Sequence, residues 1–118
     1  MKGRLPQEVR TVLEVAEEKQ ALDPVLLHLA AVTTFTDYFL ILGVRSPRQG
    51  QAISDEIELR SKKRGLHHPR IEGYHQGEWI LLDYGFLVVH ILSEKARQFY
   101  DLERLWRTAP KLTLETSD

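Results

Sequence analysis

The sequence predicts one α/β domain in which helices pack on a mixed sheet of about five strands. Apolar patterns follow one another in the order helix, strand, strand, helix, three strands and helix. A strand–helix–strand crossover followed by a meander is typical of such a sheet. The 118 residues, 42% of them hydrophobic, are enough for one core. We therefore expect a single domain over residues 1–118, with its core at about 6–108 and a polar tail at 109–118.

The first helix is predicted to begin near Pro6, because proline suits the first helical position. An apolar stripe at helical spacing supports this helix and comprises Val9, Val12, Leu13 and Ala16. We expect Asp23-Pro24 to end the helix. Residues 25–32 are apolar and of strand length, although periodicity alone does not separate a strand from a short helix. Residues 37–44 are apolar on both faces, which predicts a strand covered on both sides.

The second helix carries its own start and stop signals. Ser46 can cap its N-terminus, Pro47 suits the first helical position, and Gln49 completes a capping box. Gly65 then predicts a left-handed stop.

The C-terminal third of the chain predicts a meander of three strands. Residues 70–74 form a short strand, and residues 79–84 pair back on it through the Gln76-Gly77 turn. The Tyr84-Gly85 break then turns the chain into a third strand at residues 86–92.

A last helix is predicted over residues 93–106, capped by its first residue, a serine. Its inner stripe is expected to comprise Phe99, Leu102 and Trp106. We expect Phe99 and Trp106 to pack on the sheet, whereas Tyr100 and Glu103 are better candidates for the surface.

Composition and charge narrow the class of partner. The formal net charge is -1 and there is no cysteine. A protein whose main partner is naked nucleic acid is expected to be basic, so a protein or a small molecule is favoured. No apolar run approaches the roughly 20 residues that span a bilayer, so we expect no membrane partner. We expect a cytoplasmic location in preference to an organelle matrix.

Several of these segments, in this order and spacing, resemble the ribosomal silencing factor (Iojap, RsfS) family. The segments that carry the resemblance are residues 36–39, 43–57, 71–74, 79–85, 88–90 and 99–106. It covers about residues 8 to 110. The resemblance implies an α/β fold similar to nucleotidyltransferases but without their catalysis. It also implies binding to the large ribosomal subunit through ribosomal protein fourteen, which occludes the face where the small subunit docks and represses translation. We expect no cofactor.

The resemblance also implies a docking surface on the sheet and the last helix. The matching positions are Trp79, Leu81, Asp83 and Tyr84 on the hairpin, His90 on the next strand, and Tyr100, Leu102 and Glu103 on the helix. After Tyr84-Gly85 the family usually has an acidic residue, and this chain has Phe86.

Each of these positions also has a purely structural interpretation. Strand alternation places Trp79 and Asp83 on one face and Tyr84 on the other, and helices could cover both apolar faces. Asp83 before glycine could be a turn acceptor or could pair with a basic partner residue. A lone histidine in an apolar strand, as at His90, is more often a core residue than a ligand. The five histidines lack metal-ligand spacing, which predicts no metal site.

A basic cluster at the end of the second helix has two interpretations. Lys62, Lys63 and Arg64 complement the helix dipole there. Alternatively, they form a rim contact to ribosomal RNA phosphate.

The rival functional class is a nucleotide-binding or nucleotidyltransferase-like enzyme. That chemistry needs paired carboxylates on a strand to hold metal ions, but Asp37 and Asp83 are isolated and Asp55-Glu56 lie on a helix. A small-molecule sensor is a third class, without a residue that argues for it. We therefore predict no catalysis, and we expect that an uncovered apolar surface could also form a two-fold homodimer in the free protein.

Overall fold

The structure, a computed structural model, describes residues 5–112 and contains a six-stranded sheet of order β3-β4-β5-β2-β1-β6. The elements are α1 (Gln7–Glu18), β1 (Leu22–His28), β2 (Tyr38–Val44), α2 (Pro47–Lys63), β3 (Arg70–Glu72), β4 (Trp79–Asp83), β5 (Leu87–Ser93), α3 (Glu94–Tyr100), α4 (Leu102–Leu105) and β6 (Lys111–Leu112). The predicted α/β class with a mixed sheet is confirmed.

Strands β2 and β5 form the centre of the sheet and its one parallel pair among residues 5–112. Their register runs from Tyr38 opposite Leu87 to Val44 opposite Ser93. All other neighbouring strands are antiparallel. The chain leaves β2, crosses over through α2 to the far edge, and returns through the β3–β4–β5 meander, as predicted. Both central strands are buried along nearly their whole length, because helices pack on both faces of the sheet.

Helices α1 and α2 cover one face of the sheet. The core on this face includes Val9, Val12, Leu40, Leu42, Ile53, Ile57, Ile80 and Leu82. Arg60 holds the two helices together, since Nη2 lies 2.8 Å from Glu18 on α1 and 2.7 Å from Glu56 on α2. The Gln49 side chain adds a polar link, because its amide nitrogen donates to the carbonyl oxygens of Lys19 and Gln20.

The predicted helix caps and the glycine stop are present, with one difference in the capping box. The Ser46 hydroxyl accepts from the Gln49 amide at 3.1 Å, and the Ser93 hydroxyl accepts from the Ala96 amide at 3.0 Å. The Gln49 side chain reaches back to the amide of Arg45, one residue before the expected capping-box partner. Gly65 has a φ of 67°, which is the left-handed stop that the sequence predicts.

The first predicted boundary is wrong. Helix α1 ends at Glu18, and Asp23-Pro24 lies inside β1, where the register with β2 shifts. Asp23 has a positive φ of 44°. Proline has no backbone N–H to donate to a neighbouring strand, and a bulge is a position in a sheet where it is tolerated. Strand β1 then ends at His28, because the chain turns there: the backbone N–H groups of Val32 and Thr33 donate hydrogen bonds to the carbonyl oxygen of Leu29.

The predicted single last helix is also wrong. Asp101 adopts a left-handed conformation, with φ 46° and ψ 56°, which separates α3 from α4. The i, i+3, i+7 spacing therefore does not continue across the break. Ala96 and Leu102 face the sheet, whereas Phe99, which we expected to pack there, is 79% exposed.

Part of the expected polar tail forms a strand. Residues 111–112 form β6, which pairs with Leu26 and Leu27 of β1 and covers part of that edge. The remainder of the predicted tail, residues 113–118, lies outside the described residues.

Candidate protein-docking surface

The second face of the sheet is only partly covered. The short helices α3 and α4 pack over one end of it, on a core that includes Leu27, Phe39, Ile41, Val88, Leu92, Ala96 and Leu102. Beside this cover lies a set of half-buried and exposed apolar side chains. We name it the aromatic surface, and it comprises Phe35, Trp79, Leu81, Phe99, Tyr100 and Trp106.

Ring contacts connect the aromatic surface into one network. The rings of Phe99 and Tyr100 lie 5.0 Å apart, and those of Tyr100 and Trp79 lie 4.5 Å apart. On the other side, Phe35 lies 5.8 Å from Trp106. The buried ring of Phe39 contacts both Phe35 and Trp106. It also contacts the buried ring of His90, which in turn contacts Trp79, so these two buried rings join the halves from beneath. Contacting aromatic side chains of this size are typical anchors of protein interfaces.

The burial pattern of strand β4 shows which face of the sheet is partly open. Its residues alternate between half-buried and buried along the strand. Trp79, Leu81 and Asp83 point to the partly open side, as alternation predicts. The helices therefore do not cover both apolar faces equally, which sequence reasoning left undecided.

Trp79 is held from two directions. Its indole Nε1 donates to Nδ1 of His90 at 3.1 Å. Its ring packs on Tyr100 at an interplanar angle of 50°. The half-buried side chain thus has a satisfied donor and a fixed neighbour, while part of the ring remains accessible to a partner.

His90 lies beneath the aromatic surface and not on it, because its side chain is only 4% exposed. Its ring lies 4.5 Å from that of Phe39. Burial lowers the pKa of His90 to about 4, so the imidazole is neutral at pH 7. The expectation that His90 itself contacts a partner is therefore contradicted; it supports Trp79 from below.

Asp83 acts as a turn acceptor. Its Oδ1 accepts from the backbone amide of Gly85 at 2.7 Å, which closes the turn between β4 and β5. This settles its structural role and leaves a contact with a basic partner residue as a proposal.

The position of Tyr84 contradicts its inclusion in a docking surface. It lies on the opposite face, is 8% exposed and packs in the core beneath α1 and α2. Its hydroxyl lies 2.7 Å from the hydroxyl of Ser61 on α2. Burial raises the pKa of Tyr84, so it remains a neutral phenol. Phe86 is half-buried against the same core, with its ring 6.3 Å from that of Tyr84.

The three positions expected on the last helix separate into different environments. Tyr100 is half exposed and packs on Trp79. Leu102 is buried against the sheet and offers no accessible surface, so its expected contact role is contradicted. Glu103 is half-buried and pairs with Arg97 at 3.1 Å. Of the three, only Tyr100 belongs to the aromatic surface.

Sequence reasoning missed Phe35 and mistook the position of Phe99. Phe35 is exposed in the loop before β2, and a lone phenylalanine among threonines was the available signal. Phe99 is exposed on α3, which ends at the left-handed Asp101, and no local pattern indicated that break.

The basic cluster lies on the other side of the sheet from the aromatic surface. Lys62, Lys63 and Arg64 are at the end of α2, and the two lysines are exposed. Arg64 donates to Thr11 and pairs with Glu14 at 2.8 Å, so it ties α2 to α1. A partner seated on the aromatic surface is separated from this cluster by the whole sheet.

Residues 5–112 contain no group of three or more histidine, aspartate or glutamate side chains arranged to hold a metal ion. No helix within that range is long and apolar enough to cross a bilayer.

Comparison with known proteins places the chain in a family. The family model described as "Ribosomal silencing factor during starvation" matches residues 2–118. Ribosomal silencing factor RsfS of Halalkalibacterium halodurans is 35% identical, over 91% of this chain and 92% of that protein. The RsfS of Bacillus subtilis is 34% identical, over 90% and 93% of the two chains.

A solved structure agrees with the sequence comparisons. The crystal structure of a Bacillus halodurans protein superposes with a TM-score of 0.78 at 33% identity, and covers 90% of this chain and 96% of that chain. The family model and the superposition both cover most of the chain. The chain belongs to the ribosomal silencing factor family.

Proposed function

We propose that this protein binds the large ribosomal subunit through ribosomal protein fourteen and prevents the small subunit from joining. Translation is then repressed without any chemical step. The two RsfS relatives carry the name ribosomal silencing factor, which supports a ribosomal partner for this chain as well. The single observation that carries the docking site is the aromatic surface, a connected set of accessible rings on the partly covered face of the sheet.

The chemistry of the aromatic surface suits a protein partner. Trp79, Tyr100 and Phe99 present apolar area that a docked partner would remove from water, and aromatic anchors of this kind carry much of the affinity in protein interfaces. The net charge of -1 supports a protein contact over a contact dominated by RNA phosphate. Asp83, at the end of β4, is placed to meet a basic side chain at the rim.

Steric exclusion needs only affinity and position. A bound domain with principal extents of 34 × 33 × 27 Å occupies space that a second subunit would need. The fraction of blocked subunits equals the occupancy, so a dissociation constant of about 1 μM or lower suffices at micromolar protein concentration. We propose that this occurs in the cytoplasm, where bacterial ribosomes work.

Sedimentation tests the proposal directly. Wild-type protein should co-sediment with separated large subunits of the source organism in a sucrose gradient, and should reduce the formation of joined ribosomes. Trp79→Glu should abolish both effects, because a buried interfacial anchor becomes an unpaired carboxylate.

A matched control comes from the opposite face. Leu59 on α2 is an exposed apolar residue outside the aromatic surface, and Leu59→Glu introduces the same charge there. This variant should co-sediment like the wild type. Equal co-sedimentation of Trp79→Glu and the wild type would contradict the proposed docking surface.

A separate experiment distinguishes silencing from enzymatic action. Calorimetry with nucleoside triphosphates and magnesium should give no binding at micromolar concentration, because the described carboxylates are not clustered as a two-metal site requires. Micromolar nucleotide binding would argue for the nucleotidyltransferase-like alternative.

A further inference from the structure

We propose that His90 is a positioning residue, which fixes the orientation of the Trp79 indole by accepting its hydrogen bond and thereby prepares the aromatic surface for docking. The docking part rests on the proposed function above. The orientation part concerns the free protein and can be measured without a partner.

The pairing of β4 with β5 brings the two side chains together. Leu81 lies opposite His90 in the register, and Trp79 lies two residues before Leu81 on the same face. Diagonal neighbours in an antiparallel pair are within reach of aromatic side chains. The strand geometry therefore places the indole N–H beside the imidazole, and Nε1 lies 3.1 Å from Nδ1.

This contact defines the protonation of the imidazole. An indole nitrogen is a donor only, so Nδ1 of His90 must be the acceptor and the ring proton must sit on Nε2. Among residues 5–112, Nε2 has no hydrogen-bond partner. Within the described structure, the hydrogen bond that the His90 ring makes is therefore the one with Trp79. A residue buried only for packing would not need this nitrogen.

The consequence for docking is preorganisation. Without the bond, a half-buried tryptophan would need another partner for its donor, and the ring could adopt other rotamers. With it, the ring is held between His90 on one side and Tyr100 on the other. A partner then meets a ring already in place, and binding does not have to immobilise it.

Two substitutions of His90 whose side chains have similar shapes distinguish the effect of the hydrogen bond from the effect of packing. His90→Asn keeps an acceptor oxygen on the same carbon that carries Nδ1, whereas His90→Leu has the same branching without an acceptor. On packing grounds alone the leucine variant should be the better one, since it buries no polar group. A positioning role therefore predicts that the asparagine variant is closer to the wild type, whereas packing alone predicts that the leucine variant is.

The spectroscopic test uses the two indole N–H signals of the protein. The chain has two tryptophans, so a ¹H–¹⁵N spectrum shows two indole signals, and Trp79→Phe identifies the one from Trp79. His90→Leu should shift the Trp79 signal and speed its exchange with water. His90→Asn should keep it near the wild-type position, and the Trp106 signal serves as the internal reference.

Binding provides the second measurement. The leucine variant should bind large subunits about three- to tenfold more weakly than the asparagine variant. Equal indole spectra of the two variants, or equal affinities, would overturn the positioning role. If Trp79→Ala binds subunits like the wild type, the docking surface is wrong, and the spectra alone still decide whether His90 orients the ring.

Discussion

Nη2 of Arg97 donates to the carbonyl oxygen of Asp23 at 2.7 Å, which joins α3 to the bulge in β1. Nη1 of the same guanidinium donates to the carbonyl of Leu22, and Nη2 also pairs with Glu103 on α4. One side chain therefore ties both short helices to the sheet edge. Neither helix has the length to be stable alone, so their position depends on such tertiary contacts.

Replacing Arg97 should loosen the cover beside the aromatic surface. We expect Arg97→Ala to lower the free energy of unfolding by about 1–3 kcal/mol, because two backbone carbonyls and a half-buried carboxylate lose their donor. Amide hydrogen exchange should rise in residues 94–105. Arg104→Ala, at an exposed position on α4, should stay within about 0.5 kcal/mol of the wild type. Unchanged exchange in Arg97→Ala would show that apolar packing alone holds these helices.

The buried pair of Tyr84 and Ser61 gives a second prediction. Tyr84→Phe should cost about 1–2 kcal/mol of stability in urea unfolding, because the buried Ser61 hydroxyl loses its partner. Subunit binding should be unchanged, since Tyr84 is sealed beneath α1 and α2. Weaker co-sedimentation of a normally folded Tyr84→Phe would return this residue to the docking surface.

Local signals predicted much of the fold. Ser46 and Gly65 mark the ends of α2 through capping and a left-handed φ, which depend on a few neighbouring residues. Residues 37–44 were recognisable as a buried strand because no polar face interrupts them. These features lie in the sequence itself, so no tertiary information was needed.

What the sequence did not predict depends on contacts between distant segments. Asp101 is left-handed without being glycine, and the contacts of Arg97 with Asp23 and Glu103 hold the chain on both sides of it. Alternation in β4 correctly separated Trp79 from Tyr84, but both faces are apolar. Which one is open depends on the long helices packing on one side and the short ones on the other.

The lysines at the end of α2 should not contribute to binding at the aromatic surface. The double substitution Lys62→Glu and Lys63→Glu should leave both the affinity for large subunits and its salt dependence unchanged. The expected cost is about 0.3–1 kcal/mol of stability for each lysine, from the lost helix-dipole interaction. A salt slope that becomes clearly shallower in the double variant would instead indicate an RNA contact.

Self-association should follow from the same accessible rings. At high concentration and without ribosomes, we expect a two-fold dimer in static light scattering, because like surfaces can bury each other. Phe99→Glu should shift the mass toward the monomer, and Leu59→Glu should not, although both add one carboxylate at an exposed apolar site. A monomeric mass for the wild type throughout the concentration range would rule out this dimer.

Acid should destabilise the protein over a range set by His90. In the unfolded chain this imidazole has its ordinary pKa near 6.5, whereas burial lowers the pKa in the folded protein to about 4. Between these values only the unfolded state takes up the proton. The free energy of unfolding therefore keeps its whole value above about pH 6.5 and falls as the pH drops toward 4.

The expected loss over that range is about 3 kcal/mol, at 1.36 kcal/mol for each pH unit of the shift. Urea unfolding of the wild type at several pH values measures it. His90→Leu cannot take up this proton, so its stability should vary much less between pH 6.5 and 4 than that of the wild type. Below about pH 4 the histidine contribution levels off, because both states are then protonated. A wild type and a leucine variant that lose stability in parallel would mean that other groups dominate and that the buried imidazole is not held neutral.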